Sequence, residues 1–190
     1  MFDVVSQEKQ VSFTVNVASG ISEQIITDQQ RVEQIIKNLL SNAFKFTPKG
    51  GAVSLNIFSP SNFIPTAATL KEAKQIIAFE VKDTGIGIPA DKQQLIFEAF
   101  QQADGSTSRK YGGTGLGLSI SRELIRMLGG ELCLESKDGE GSIFTLYLPV
   151  NVSEVLPNIG VHNNDTSVAE AFVLDPSVIP LQTVIKDDRS

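Results

Sequence analysis

Residues Asn38 to Thr47 read NLLSNAFKFT and close a segment whose apolar positions recur at helical spacing. Val32, Ile35, Ile36, Leu39, Leu40 and Ala43 fall on one face of a helix predicted from Gln29 to Phe46. Thr27 or Asp28 is placed to cap its start, and Pro48 with Gly50-Gly51 ends it. Asn38, Asn42 and Lys45 align on an adjoining stripe, at the border of the buried face. Carboxamide oxygens are ligands for a hard cation such as Mg²⁺, and a lysine holds phosphate as a point charge. A solvated helix edge is the alternative reading of the same three residues.

Strands flank this helix. VSFTVNV (11–17) alternates apolar and polar, and Ala52 to Phe58 and Ile76 to Lys82 read as two more strands. Between the latter two, Ser59 to Lys74 reads as a loop insertion with no evident chemistry. The strand ending at Lys82 runs into DTGIGIP. A carboxylate at a strand end, Asp83, can accept a hydrogen bond from an exocyclic amine such as adenine's. Gly85 and Gly87 permit sharp turns and the close approach of a planar ligand. A plain tight turn is the alternative.

Ala90 to Phe100 reads as a short helix anchored by Leu95, Ile96, Phe97 and Phe100. QQADGSTSRKYGG (101–113) is polar and irregular, and its Arg109 and Lys110 suit a polyphosphate. Thr114-Gly115-Leu116-Gly117-Leu118 opens a helix running to about Leu128, with amides and the positive dipole end facing outward. The alternative is that its glycines only allow close helix–sheet packing. Glu131–Ser136 and Ser142–Leu148 then form a hairpin ended by Pro149.

Composition narrows the classes. The 190 residues carry a net charge of −6, which argues against non-specific nucleic-acid binding. Six acids and two bases lie in residues 151–190, so most of that charge sits in a proline-containing tail. No run approaches the ~20 apolar residues of a membrane span, and the N-terminus lacks a signal-peptide pattern. A cytoplasmic fragment, not itself membrane-inserted, is expected. Cys133, the one cysteine, is read as a buried structural thiol.

Taken in order, NLLSNAFKFT, DTGIGI, IFEAF and GGTGLGLSI resemble the ATP-binding catalytic domain of sensor histidine kinases. Gyrase B, the heat-shock chaperone of about ninety kilodaltons and the mismatch-repair ATPases belong to the same wider superfamily. The resemblance spans roughly residues 10–150 and implies an α/β (α+β) two-layer sandwich. A mixed, mostly antiparallel sheet of about five strands would pack against three helices, with a flexible lid over ATP. It implies that Asn42 ligands Mg²⁺ with Asn38 assisting, that Lys45 contacts phosphate, and that Phe46 lies near adenine or ribose. Asp83 would accept the adenine amine, with Gly85 and Gly87 shaping the pocket. Phe97 and Phe100 would anchor the lid. Gly113, Thr114, Gly115 and Gly117 would pass beside the triphosphate, with Leu116 and Leu118 pinning the next helix.

Two departures stand out. Many such kinases carry an arginine just after the phenylalanine box, where Gln101 and Gln102 stand here; Arg109 or Lys110 is the expected substitute. The one histidine, His162, lies in the tail without an amphipathic helix around it and is read as solvated. The implied partners are therefore a histidine-bearing dimerisation domain of the parent protein and, through the tail, a downstream receiver domain as in hybrid kinases. No nucleic-acid partner is expected, and the fragment itself is expected to be a monomer. The rival functions are an ATP hydrolase of the same superfamily, an anti-sigma-like serine kinase, and a nucleotide-binding module without transfer. The hydrolases generally place a glutamate where Asn38 stands here.

Overall fold

The computed structural model describes residues 2–22, 24–98, 117–151 and 171–173, the last three as backbone only. Helices α1 (Phe2–Lys9), α2 (Gln29–Phe46), α3 (Ala68–Glu72) and α4 (Gly117–Met127) alternate with strands β1 (Ser12–Val17), β2 (Gln24–Ile26), β3 (Ala52–Phe58), β4 (Ile76–Asp83), β5 (Glu131–Lys137), β6 (Gly141–Pro149) and β7 (Ala171–Val173). The main sheet has the order β1-β3-β4-β6-β5. β1 pairs with β3 in parallel, and the other neighbours are antiparallel. This open five-stranded sheet with α1, α2 and α4 over one face is the two-layer architecture expected.

Strand alternation sends one set of side chains inward. Val53, Leu55 and Ile57 of β3 join Ile77, Phe79 and Val81 of β4, and Phe144, Leu146 and Leu148 of β6. Against them α2 lays Val32, Ile35, Leu39, Leu40, Ala43 and Phe44, and α4 lays Leu124 and Ile125. Asp28 is the residue that caps α2, its Oδ1 accepting from the Arg31 amide at 3.1 Å. At the far end the Thr47 amide and hydroxyl both donate to Ala43 O.

The opposite face of the sheet is polar at β1 and β3, where Asn16 donates to Asn56 and Asn56 to Glu80. Toward β5 and β6 it is roofed by the 59–74 insertion, which is expected as a loop from sequence but contains α3. Phe63 stacks on Tyr147 at 3.6 Å, Leu70 of α3 is buried, and Glu131 accepts the Thr66 and Ala67 amides. Cys133 lies on this face, half-buried rather than fully buried. Burial, then the charges of Glu131 and Glu135, push its thiol pKa up, away from the reactive thiolate.

Other expectations need correction. Over the described part of the segment expected as a helix, residues 90–98, two separate 3₁₀ turns, Ala90–Lys92 and Leu95–Phe97, follow Pro89 instead, because no run there is long enough to repay helix nucleation. The strand β2 and the helix α1 had no reading from sequence. β2 pairs antiparallel with β7, so part of the tail returns to the domain's edge.

α1 ends in a two-bond C-cap. The Val11 amide donates to Ser6 O at 3.0 Å and the Gln10 amide to Gln7 O at 3.2 Å. That cap puts its closing residue in the left-handed region, and the residue is Gln10, with φ of 53°. A side chain there costs ~1–2 kcal/mol, and glycine gives back part of the gain as chain entropy. Gln10→Gly is therefore expected to stabilise the chain by about 0.5–1 kcal/mol, or ~2–3 °C in a thermal melt. A lower melting temperature would contradict the cap.

Candidate functional site

The last turn of α2 and the loop after β4 meet, and the candidate site is built around their junction. Asn38 and Asn42 lie one turn apart on α2, both half-buried. Asn38 is engaged: its Nδ2 donates to Ser121 Oγ of α4 at 2.9 Å. Its Oδ1 faces Gly117, where an added Cβ would sit 2.4 Å from that oxygen. The two residues thus clamp the start of α4 against α2, and Gly117 serves close helix–helix approach rather than the helix–sheet contact considered from sequence. Asn42, by contrast, makes no side-chain hydrogen bond among the described residues.

Asp83 ends β4 and is 6% exposed. Its Oδ1 accepts the Gly85 amide at 2.8 Å. Desolvation raises its pKa above the ordinary carboxylate value, while the backbone amides of Gly85 and Ser142 pull it part of the way back. Among the described residues no cation shifts this buried acid.

The two glycines of the DTGIGI loop are required by the protein's own backbone. A Cβ on Gly85 would lie 2.6 Å from Phe46 O and 2.7 Å from Asp83 Oδ1. Gly87, at φ of +67°, would meet Lys137 O at 1.9 Å. The loop is stitched down further by Ile86 N to Phe46 O at 3.3 Å, Gly139 N to Ile86 O at 2.7 Å and Ile88 N to Ser136 Oγ at 2.9 Å. The carboxylate, the loop and the end of α2 are thereby locked in one relative position.

Beside this junction opens a cleft of about 220 Å³ lined by Lys9, Lys45, Phe46, Thr47, Pro48, Lys49 and Ile86. The Lys45 ammonium sits 5.0 Å from the Phe46 ring centroid. Asp83 does not line this cleft; it stands behind it, across Gly85 from Phe46. Further along, Leu118 packs on the core, and Phe97 meets Phe144 edge-on with centroids 6.4 Å apart. Phe100, Gln101, Gln102, Arg109, Lys110, Gly113, Thr114, Gly115, Leu116 and His162 lie outside the described residues. Two contributors had no reading from sequence. Ser121 is a polar residue inside the apolar stripe Leu118–Leu124–Ile125, which was the available signal; Lys9 had none.

The sequence model of the family described as histidine kinase-, DNA gyrase B-, and HSP90-like ATPase matches residues 27–152. The chain belongs to that family. Its relatives within that family are named as histidine kinases, and the chain carries the ATP-binding domain of a sensor histidine kinase. The signal transduction histidine-protein kinase BarA of Escherichia coli K12 is 37% identical over 161 residues, covering 85% of this chain and 16% of BarA. The hybrid signal transduction histidine kinase D of Dictyostelium discoideum is 40% identical over 161 residues, covering 85% of this chain and 10% of its own length. This chain therefore spans a small part of the curated relatives it matches. Full-length ShkA, solved in complex with AMPPNP, superposes with a TM-score of 0.60 at 31% identity, over 77% of this chain and 27% of ShkA. The catalytic domain of the histidine kinase ThkA, at 23% identity, gives a TM-score of 0.61 over 80% of this chain and 88% of its own, and so shares the fold. Among the described residues of the domain, no helix is long and apolar enough to cross a membrane.

Proposed function

We propose that this domain binds Mg-ATP and passes the γ-phosphate to a histidine on a separate dimerisation domain of its parent protein. The observation that carries the reading is the convergence of the buried Asp83 carboxylate, through Gly85, on the end of α2, where Phe46, Lys45 and Asn42 stand. The AMPPNP complex of ShkA supports an adenine nucleotide as the ligand. In this reading Asp83 takes the adenine amine, Phe46 covers the ring or ribose, and Lys45 neutralises phosphate charge. Arg109 and Lys110, with Gly113, Thr114, Gly115 and Leu116, are assigned to the triphosphate on the motif alone.

The donor set fits a magnesium ion. No cluster of three or more His, Cys, Asp or Glu side chains exists among the described residues, so the ion's other ligands would be phosphate oxygens and water. Asn42, whose oxygen takes no hydrogen bond among the described residues, would hold it, and Asn38 would keep that stretch of α2 fixed against α4. When bound, the ion offsets charge on the transferring phosphoryl group. The protein's own part is to orient the nucleotide and exclude water, while the attacking nitrogen comes neutral from the partner's imidazole.

The hydrolase alternative needs a base to activate water, and Asn38 is a carboxamide already tied to Ser121. Incubated alone with ATP, the chain is expected to turn over far more slowly than ~1 s⁻¹, a rate typical of competent enzymes. Given γ-labelled ATP and a separately produced histidine-bearing dimerisation domain, it is expected to label that domain on an acid-labile nitrogen. Steady hydrolysis near one per second, or label on a serine, would replace this reading with one of its rivals. Parents of the hybrid kind, as kinase D is named, would place a receiver domain beyond the tail.

A further inference from the structure

The carbonyls of a helix's last turn have no partner within the helix, so whatever binds them fixes where that turn stands. At the end of α2, Ala43 O keeps its ladder bond and adds a side-chain hydroxyl, while two more carbonyls are bound by remote segments. Ala43 O takes the Thr47 amide and hydroxyl, at 3.0 and 2.7 Å. Phe46 O takes the Ile86 amide. Phe44 O takes the Lys9 ammonium at 2.7 Å, from a residue 35 positions earlier. A cation at this end also complements the negative pole of the helix dipole. α1 grips the same residue a second time, because the Phe2 ring stacks on Phe44 at 5.6 Å and 5°, with Phe13 edge-on to Phe44 at 5.4 Å. Lys9 also lines the cleft that Lys45 and Phe46 share.

We propose that Lys9 is a positioning residue, through which the docking of α1 sets the last turn of α2 and hence the stance of Lys45 and Phe46 toward the nucleotide. α1 precedes the whole sheet, and of its residues Lys9 is the one that lines the cleft. Its seating and the nucleotide's affinity are then linked, and by reciprocity nucleotide binding tightens α1. The affinity half of this inference rests on the function proposed above; the grip on the helix end does not.

The test uses the whole chain with Lys9→Met, which keeps the stem and removes the donors, and Lys9→Arg, which restores a donor and charge. Amide hydrogen exchange at residues 44–47 is expected to quicken about three- to tenfold in Lys9→Met, the scale of one hydrogen bond to a charged group, and to recover in Lys9→Arg. In phosphotransfer to a supplied dimerisation domain, KM for ATP is expected to rise about three- to tenfold while kcat at saturation stays within about twofold, since ground-state and transition-state binding suffer alike. Wild-type exchange in Lys9→Met, or a fall in kcat with KM unchanged, would overturn the proposal. If the wild-type chain binds no Mg-AMPPNP at all, the functional reading and the affinity link fall, while the exchange data still decide whether Lys9 holds the helix end.

Discussion

Asp83→Asn is expected to weaken binding of Mg-AMPPNP about ten- to hundredfold, the scale of a lost hydrogen bond to a charged group, without unfolding the chain. The reason lies in the single oxygen an asparagine keeps. The Gly85 amide already occupies Oδ1 at 2.8 Å, and that amide is fixed by a loop stitched to Phe46 O and to the β5–β6 turn. The remaining NH₂ would confront the adenine amine, donor against donor. Stability should move the other way. Desolvation raises the folded-state pKa of Asp83 above its unfolded value. Such a group contributes stability that is present below the unfolded pKa, about 3.9, and is lost as pH rises through the folded one. At neutral pH the ionised carboxylate is therefore a cost to the empty fold, and the variant should melt no lower than the wild type, its advantage shrinking below about pH 4. Because the adenine amine needs the ionised form, the acid limb of nucleotide affinity should begin above the usual carboxylate range. Titration calorimetry showing equal affinities in wild type and variant would remove Asp83 from the adenine site.

Asn42→Ala should all but eliminate Mg²⁺-dependent transfer to a supplied dimerisation domain, by at least about a hundredfold, the scale of removing one preorganised electrostatic contact from a transition state. Alanine is the best helix former, and Asn42 makes no side-chain hydrogen bond among the described residues, so α2 should survive. Asn38→Ala is the informative contrast. It deletes the bond to Ser121 that ties α2 to α4 and should lower the melting temperature as well as the rate. Wild-type labelling by Asn42→Ala in the presence of magnesium would displace the metal from this carboxamide.

Much of the fold was legible because its signals are short-range. Gln29 and Phe46 bound α2 as the apolar spacing and the flanking Asp28, Pro48 and Gly50 require, and β3 runs from Ala52 to Phe58 as read. The site was legible as a set of motifs, each a few residues long: a carboxylate before glycines, amides on one helix stripe. What the glycines do was not. Gly85 and Gly87 read as room for a ligand, yet each is demanded by a neighbouring backbone carbonyl of the protein itself.

By itself the sequence determined α2, β1, β3, β4, most of α4 and the β5–β6 hairpin, their apolar faces, and the family of which this chain is a member, because periodicity, capping and motif order are properties of neighbours along the chain. Only the tertiary structure decided that β1 lies parallel to β3, that Asn38 is held by Ser121 83 positions away, and that Lys9 reaches Phe44. Those choices belong to long-range burial. A helix-end carbonyl or a half-buried carboxamide takes whatever donor the packed core brings within about 3 Å, and no local pattern records which one arrives.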